Sequence, residues 1–289
     1  MHPDSILQKQ KRLWSEIENR LKHGKIEFPL MPFVALRLME IAQDPDSSAQ
    51  DLQKVIIADQ VIASRVLRIA NSPLFPCREP VVSLQHAIIR LGYRNIFNMV
   101  LASSLYTNIV GANSYSNKSH QLWEHSLGCA MMCRVIAATV NEDAEEAFTI
   151  GLLHDFGKLL LYQETIIQSY NFGETPEEFE DFVKAYHSVL GGILTQSWNL
   201  PSRVSEAIRF HHDPEKAVEA KRMTAIVCFG NLLCHYHGIG VEPENIEIHG
   251  SASAKILGMQ SFKVDALLEV ALEAFKITSE IFPMNKVQN

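Results

Sequence analysis

The sequence predicts an all-α protein. Apolar residues recur at three- and four-residue spacings along nearly the whole chain, alternating apolar and polar runs are missing, and no hairpin-type turn pair joins two β-branched stretches. With 289 residues and 47% hydrophobic content the chain can bury a full core. Its formal net charge is −7 with no basic block, which argues against general attraction to a phosphate backbone. No apolar run approaches the roughly 18–20 residues that a bilayer requires, and MHPDSILQKQKRLWSEIENRLKHGK reads as a charged amphipathic helix without a signal-peptide core. A cytoplasmic protein without a membrane partner is expected.

The elements follow in order. FPLMP holds the chain extended, and FVALRLMEIAQD (33–44) then places Val34, Leu36, Leu38, Met39 and Ile41 on or near one helical face. In DPDSSAQDLQKVIIADQVIASRVLRIANSP, Ser47 or Ser48 caps the first of two helices, a break falls near Asp59, and Pro73 closes the second. Ser83 caps VSLQHAIIRLGYRNIFNMVLASSLYTNIV, in which Gly92 ends one helix and another runs on. This segment has the length and central glycine of a DNA-reading helix–turn–helix. Its second helix is greasy, however, and offers only Arg94, Asn95 and Asn98 to base edges, so two packed helices and no nucleic-acid partner are expected.

The polar stretch GANSYSNKSH (111–120) marks the expected subdomain boundary. Helices continue through HQLWEHSLGCAMMCRVIAATV, EEAFTIGLLHDFGKLLLYQE, TPEEFEDFVKAYHSVLGGILTQSWNL, PSRVSEAIRFHH, EKAVEAKRMTAIVCFGNLLCHYHG, SASAKILGM and KVDALLEVALEAFKITSEIF, with Pro176 and Pro201 at N1-like positions. The cysteines Cys77, Cys129, Cys133, Cys228 and Cys234 sit in apolar surroundings and read as reduced core thiols. Cys129 and Cys133 are one turn apart, but two thiols without a second pair make a poor zinc site.

One segment departs from this pattern. GLLHDFGKLLLY (151–162) sets His154 and Asp155 side by side within an apolar run expected to be helical. His125 lies on the preceding helix, His187 on the following one, and His211 and His212 end the one after that. Adjacent residues on a helix diverge by about 100°, so His154 and Asp155 can point two ligands at neighbouring positions around a metal or a metal pair. Imidazole with carboxylate suits Fe, Mn or Zn. Two such ions about 3.5–4 Å apart would clamp a phosphoryl oxygen and activate a water. Gly157 allows a substrate or another helix to come close, and Lys158 supplies a compact cation for phosphate. Of the twelve histidines, His23, His86, His120, His235, His237 and His249 are taken as structural.

The HD pair with these partners resembles the HD superfamily of metal-dependent phosphohydrolases. The chain as a whole resembles an HDOD protein, the HD-related output domain of bacterial signalling. The likeness runs through FPLMPFVALRLMEIAQDPDSSAQDLQKVIIADQVIASRVLRIANSP, VSLQHAIIRLGYRNIFNMVLA, GLLHDFGKLLL, YHSVLGGILTQSWNLP and AIRFHHDP. It implies a helical bundle: an N-terminal helix (1–24), then an HDOD domain (25–282) whose N-terminal helical lobe (25–112) packs on an HD-like lobe with C-terminal helices (113–282). It also implies signal transduction mainly through contact with a partner protein. The alternative is a metal-dependent phosphohydrolase or phosphodiesterase acting on a nucleotide or cyclic dinucleotide. One or two divalent ions would then sit on His125, His154, Asp155, His187, His211 and His212, which match the ligand positions of the related HD-GYP phosphodiesterases, and Lys158 would meet phosphate.

The chain also departs from that pattern. Asn231 stands where catalytic HD enzymes carry a late aspartate, Gln121 where HD-GYP enzymes carry an acid one turn before the first histidine, and DPEKAVEA where their Gly-Tyr-Pro segment should follow His212. An amide is a weaker, neutral ligand. The expectation is a degenerate pocket that holds metal more readily than it catalyses, with no residue committed to catalysis.

Overall fold

Every regular element is helical among the residues that the computed structural model describes, which are 3–23, 25, 28–44, 46–76, 78–110, 116–162, 176–259 and 261–282. In chain order the helices are α1 (Pro3–Lys22), α2 (Phe33–Gln43), α3 (Ala49–Ile57), α4 (Gln60–Ala70), α5 (Leu84–Val110), α6 (Ser116–Thr139), α7 (Ala144–Leu153), α8 (Phe156–Tyr162), α9 (Pro176–Ser197), α10 (Ser202–Arg209), α11 (Lys221–His237), α12 (Ala252–Leu257) and α13 (Ser261–Ile281), with a 3₁₀ turn at Pro214–Lys216. None of them is long and apolar enough to cross a membrane. They form two units that interleave along the chain: Met1–Leu30 with Leu153–Thr224, and Met31–Leu152 with Ala225–Asn289.

In the second of these units the helix boundaries follow local chemistry. Ser48 is the N-cap of α3, its backbone N–H donating to Asp51 Oδ2 at 3.2 Å. The Asp59 carboxylate accepts from the Val61 and Ile62 amides at 2.9 and 3.1 Å and so starts α4. Ser83 Oγ accepts from the His86 amide at 3.1 Å at the head of α5. Gly92, at φ +74°, ψ 162°, kinks α5 where the sequence predicts one helix to end; an L side chain would be strained there. The polar residues of the continuing helix are committed inside this unit. Arg94 pairs with Asp143 at 2.6 Å, Asn95 Oδ1 accepts from Arg134 at 2.8 Å, and Asn98 Nδ2 donates to Glu145 Oε2 at 2.9 Å.

The core of this unit is aromatic and thiol-rich. Trp123, fully buried, meets Tyr106 edge-on at 5.4 Å and Phe282 at 5.7 Å. Cys129, Cys133, Cys228 and Cys234 are buried and reduced, and burial pushes the Cys133 thiol well up, so it is unreactive; Cys77 lies outside the described residues. Of the polar stretch 111–120, residues 116–120 already belong to α6, and 111–115 lie outside the described residues.

In the first unit α8, α9 and α10 pack together. Trp198, at the end of α9, meets Phe156 at 5.7 Å and donates its indole N–H to the Pro29 carbonyl at 2.8 Å. Helix α1 adds Trp14, stacked on Tyr186 at 4.8 Å and 11°. Two boundaries differ from expectation. Pro201 is the N-cap of α10 rather than its first residue. The helix expected from Glu215 starts only at Lys221, because the Glu206 carboxylate takes the amides of Val218 and Glu219 at 3.0 and 2.9 Å, and that of Ala220 at 2.6 Å. Those N–H groups hold residues 217–220 as a loop.

Candidate metal centre

His154 and Asp155 do not sit within a helix. They form the turn between α7 and α8, closed by the Lys158 amide donating to the Asp155 carbonyl at 2.8 Å. In that turn His154 Nε2 and Asp155 Oδ2 come within 3.4 Å of each other. Both side chains are buried.

Around Asp155 the first unit gathers its other candidates. Oδ1 lies 3.1 Å from His187 Nε2 and 3.8 Å from His211 Nε2, and Oδ2 lies 2.6 Å from Lys158 Nζ. Burial alone would raise the carboxyl, but its electrostatic interactions with His154 and Lys158, together with its contacts to the His154 and His187 rings, hold it well below the usual carboxylate range. Lys158 is therefore placed as the counter-ion of Asp155. Gly157 brings the two helices into backbone contact. A Cβ there would overlap the His187 carbonyl of α9 and sit 2.9 Å from the Gly191 amide, so the close approach that the sequence suggests is made by a helix.

His187, His211 and His212 offer ligand atoms that all lie within 4.8 Å of one another. His187 Nε2 is 3.0 Å from His212 Nε2 and 3.4 Å from His211 Nε2. The far side of two rings is anchored to backbone: His187 Nδ1 meets the Val183 carbonyl at 2.8 Å, and His211 Nδ1 meets that of Ile208 at 2.7 Å. Only an N–H can face a carbonyl, so each of these rings carries its proton on Nδ1. This is the outer-shell arrangement that orients metal-binding imidazoles.

The donor set fits a cation. With its proton on Nδ1, neutral His187 turns the lone pair of Nε2 toward two other electron-rich atoms, Asp155 Oδ1 at 3.1 Å and His211 Nε2 at 3.4 Å, the latter also protonated on Nδ1. A divalent ion satisfies them together. Two nitrogens each about 2.0–2.1 Å from a tetrahedral ion stand about 3.3–3.4 Å apart, close to the separations found here. His154, Asp155, His187, His211 and His212 are the residues of this unit that could hold it.

The sixth candidate, His125, belongs to α6 in the second unit. It is buried there, with Nδ1 3.1 Å from the Ile239 carbonyl and its ring edge-on to His235 at 5.2 Å. In the same unit Asn231 is buried on α11 and Gln121 is exposed on α6.

Burial and the surrounding imidazoles hold His211 well below its ordinary value, and burial brings His212, at the exposed edge, down to about 3. As pH falls through about 6.5 the unfolded chain takes up the His211 proton while the folded metal-free protein does not, so stability present above that pH is lost below it. The expected loss is about 1.4 kcal/mol per pH unit from His211 alone. Urea titrations of metal-free protein between pH 7.5 and 5 read it as a falling midpoint; a midpoint independent of pH contradicts it.

The HDOD domain family model matches residues 28–214. An uncharacterized protein of Treponema pallidum (strain Nichols) is 26% identical over 225 residues, 73% of this chain and 42% of that protein. Ribonuclease Y of Geotalea uraniireducens (strain Rf4) is 26% identical over 133 residues, 46% of this chain and 21% of that enzyme. The chain thus spans less than half the length of either relative. Two solved structures share the fold. One is a Shewanella amazonensis SB2B protein named provisionally as a metal-dependent phosphohydrolase, with TM-score 0.76 at 18% identity, covering 94% of this chain and 99% of that one. The other is an HDOD domain protein of unknown function from Geobacter sulfurreducens, with TM-score 0.72 at 22% identity, covering 97% and 100%.

Proposed function

The chain belongs to the HDOD domain family, and on that premise we propose that it is a signalling protein that acts by contact with a partner protein and keeps an HD-type pocket as a metal-holding, non-hydrolytic centre. The observation that carries this is the donor chemistry. Of the five groups gathered in the first unit, four are imidazoles and one, Asp155, is a carboxylate. Two divalent ions bring four positive charges, and neutral imidazoles offset none of them. Asn231 and Gln121, at positions where the resemblance calls for acids, add no charge. One divalent ion of Fe, Mn or Zn matches this set; such an ion, when bound, supplies Lewis acidity. His154, Asp155, His187, His211 and His212 hold it.

Contact as the output is supported by the surface of the second unit, which leaves Phe33, Ile57, Val61, Val82 and Ile89 exposed. Immobilised protein should capture a specific partner from the source cells, and the variant Ile57→Lys/Val61→Lys, which alters only exposed positions, should lose it. Equal capture by both forms, or by neither, speaks against the contact reading.

The second reading is hydrolysis of a nucleotide phosphodiester. Lys158 favours it, being a partly exposed ammonium beside Asp155, as does the similarity to a ribonuclease. Its weakness is the missing charge.

A further inference from the structure

We propose that Gly240 is a positioning residue for His125: it lets the loop 238–240 lie directly on α6, so that the Ile239 carbonyl fixes the proton of His125 on Nδ1 and its lone pair on Nε2. The inference rests on the geometry of the second unit alone.

The loop leaves the end of α11 and is tied back to it, the Ile239 amide donating to the Cys234 carbonyl and the Glu244 amide to the His235 carbonyl, both at 2.9 Å. Its contact with α6 is made through two glycines. On the helix side, a Cβ at Gly128 would stand 2.5 Å from Ile239 Cγ2, so the bare backbone of α6 receives the Ile239 side chain, which is buried. On the loop side, a Cβ at Gly240 would overlap the Gln121 carbonyl and the His125 amide and stand 2.9 Å from the His125 Cα. All three are backbone atoms of α6, so no side chain can swing aside. Gly240 also has φ +67°, which an L residue adopts only under strain.

Between these two contacts the Ile239 carbonyl stands 3.1 Å from His125 Nδ1. A carbonyl only accepts, so Nδ1 must carry the hydrogen, and a neutral imidazole then has its lone pair on Nε2. His187 and His211 reach the same state through carbonyls on or beside their own helices, three or four residues back. His125 instead takes its carbonyl from a loop 114 residues away. Its orientation therefore depends on a tertiary contact that one added methyl group breaks.

The test compares full-length Gly240→Ala with wild type, with Gly258→Ala as control. Gly258 shares the positive φ, at +65°, but a Cβ there meets nothing within 4 Å. Long-range 1H–15N correlation of the histidine rings in metal-free protein should show His125 protonated on Nδ1 in wild type and Gly258→Ala, and lose that signature in Gly240→Ala. An unchanged tautomer in Gly240→Ala overturns the proposal. If Gly240→Ala does not fold, the wild-type spectrum still decides, because a His125 proton on Nε2 overturns it without any variant.

Discussion

Gly157→Ala is expected to destabilise the protein by about 3 kcal/mol, the upper end for overpacking, and to remove its metal. The added Cβ would overlap the His187 carbonyl of α9 and crowd the Gly191 amide, and neither can rotate away. Relief requires α8 and α9 to separate. That movement opens the contact between Phe156 and Trp198 and carries Asp155 away from His187, now 3.1 Å apart. A shift of roughly 2–4 °C per kcal/mol makes the expected fall in Tm roughly 6–12 °C. Differential scanning calorimetry and metal analysis of the same sample check both effects. A variant with wild-type Tm and full metal content would show that the helices do not approach as described.

Asp155→Asn should lower metal affinity at least about 100-fold, more than loss of an outer-shell partner typically does. The substitution preserves shape and removes the one negative charge among the five gathered donors. It also leaves Lys158, 2.6 Å from Oδ2, facing a neutral amide, so the metal-free variant should be less stable than wild type as well. Protein purified without a histidine tag should carry about one equivalent of divalent Fe, Mn or Zn, and the variant almost none. Equal metal content in the two proteins would remove Asp155 from the ligand set.

Much of the architecture is legible in local sequence. Asp59 and Ser83 announce helix starts because a short polar side chain satisfies the amides just after it, and Gly92 marks the kink because only glycine is at ease at φ +74°. The histidines and Asp155 are legible by their spacing along successive helices. The break at His154–Asp155 is not. An apolar run with a 3.6-residue period predicts one helix, and the interruption comes from partners distant in sequence, His187 and His211, that draw the carboxylate inward. The delayed start of α11 has the same origin, since Glu206 takes the amides of residues 218–220 across the loop. The support of His125 by Ile239 was equally hidden, because a backbone carbonyl leaves no mark in residue identity. Its one visible trace is the pair of glycines flanking Ile239.

Hydrolysis by the metal-loaded, unmodified protein is the most direct test of a metal-holding, non-hydrolytic signalling domain. Mn-, Fe- and Zn-loaded samples would be assayed on nucleoside phosphates, linear dinucleotides and cyclic dinucleotides, with metal content measured on each sample and His154→Ala as control. The charge deficit around Asp155 predicts bound metal and no turnover above the His154→Ala background. Robust turnover that disappears in His154→Ala would contradict it and establish the protein as a phosphohydrolase.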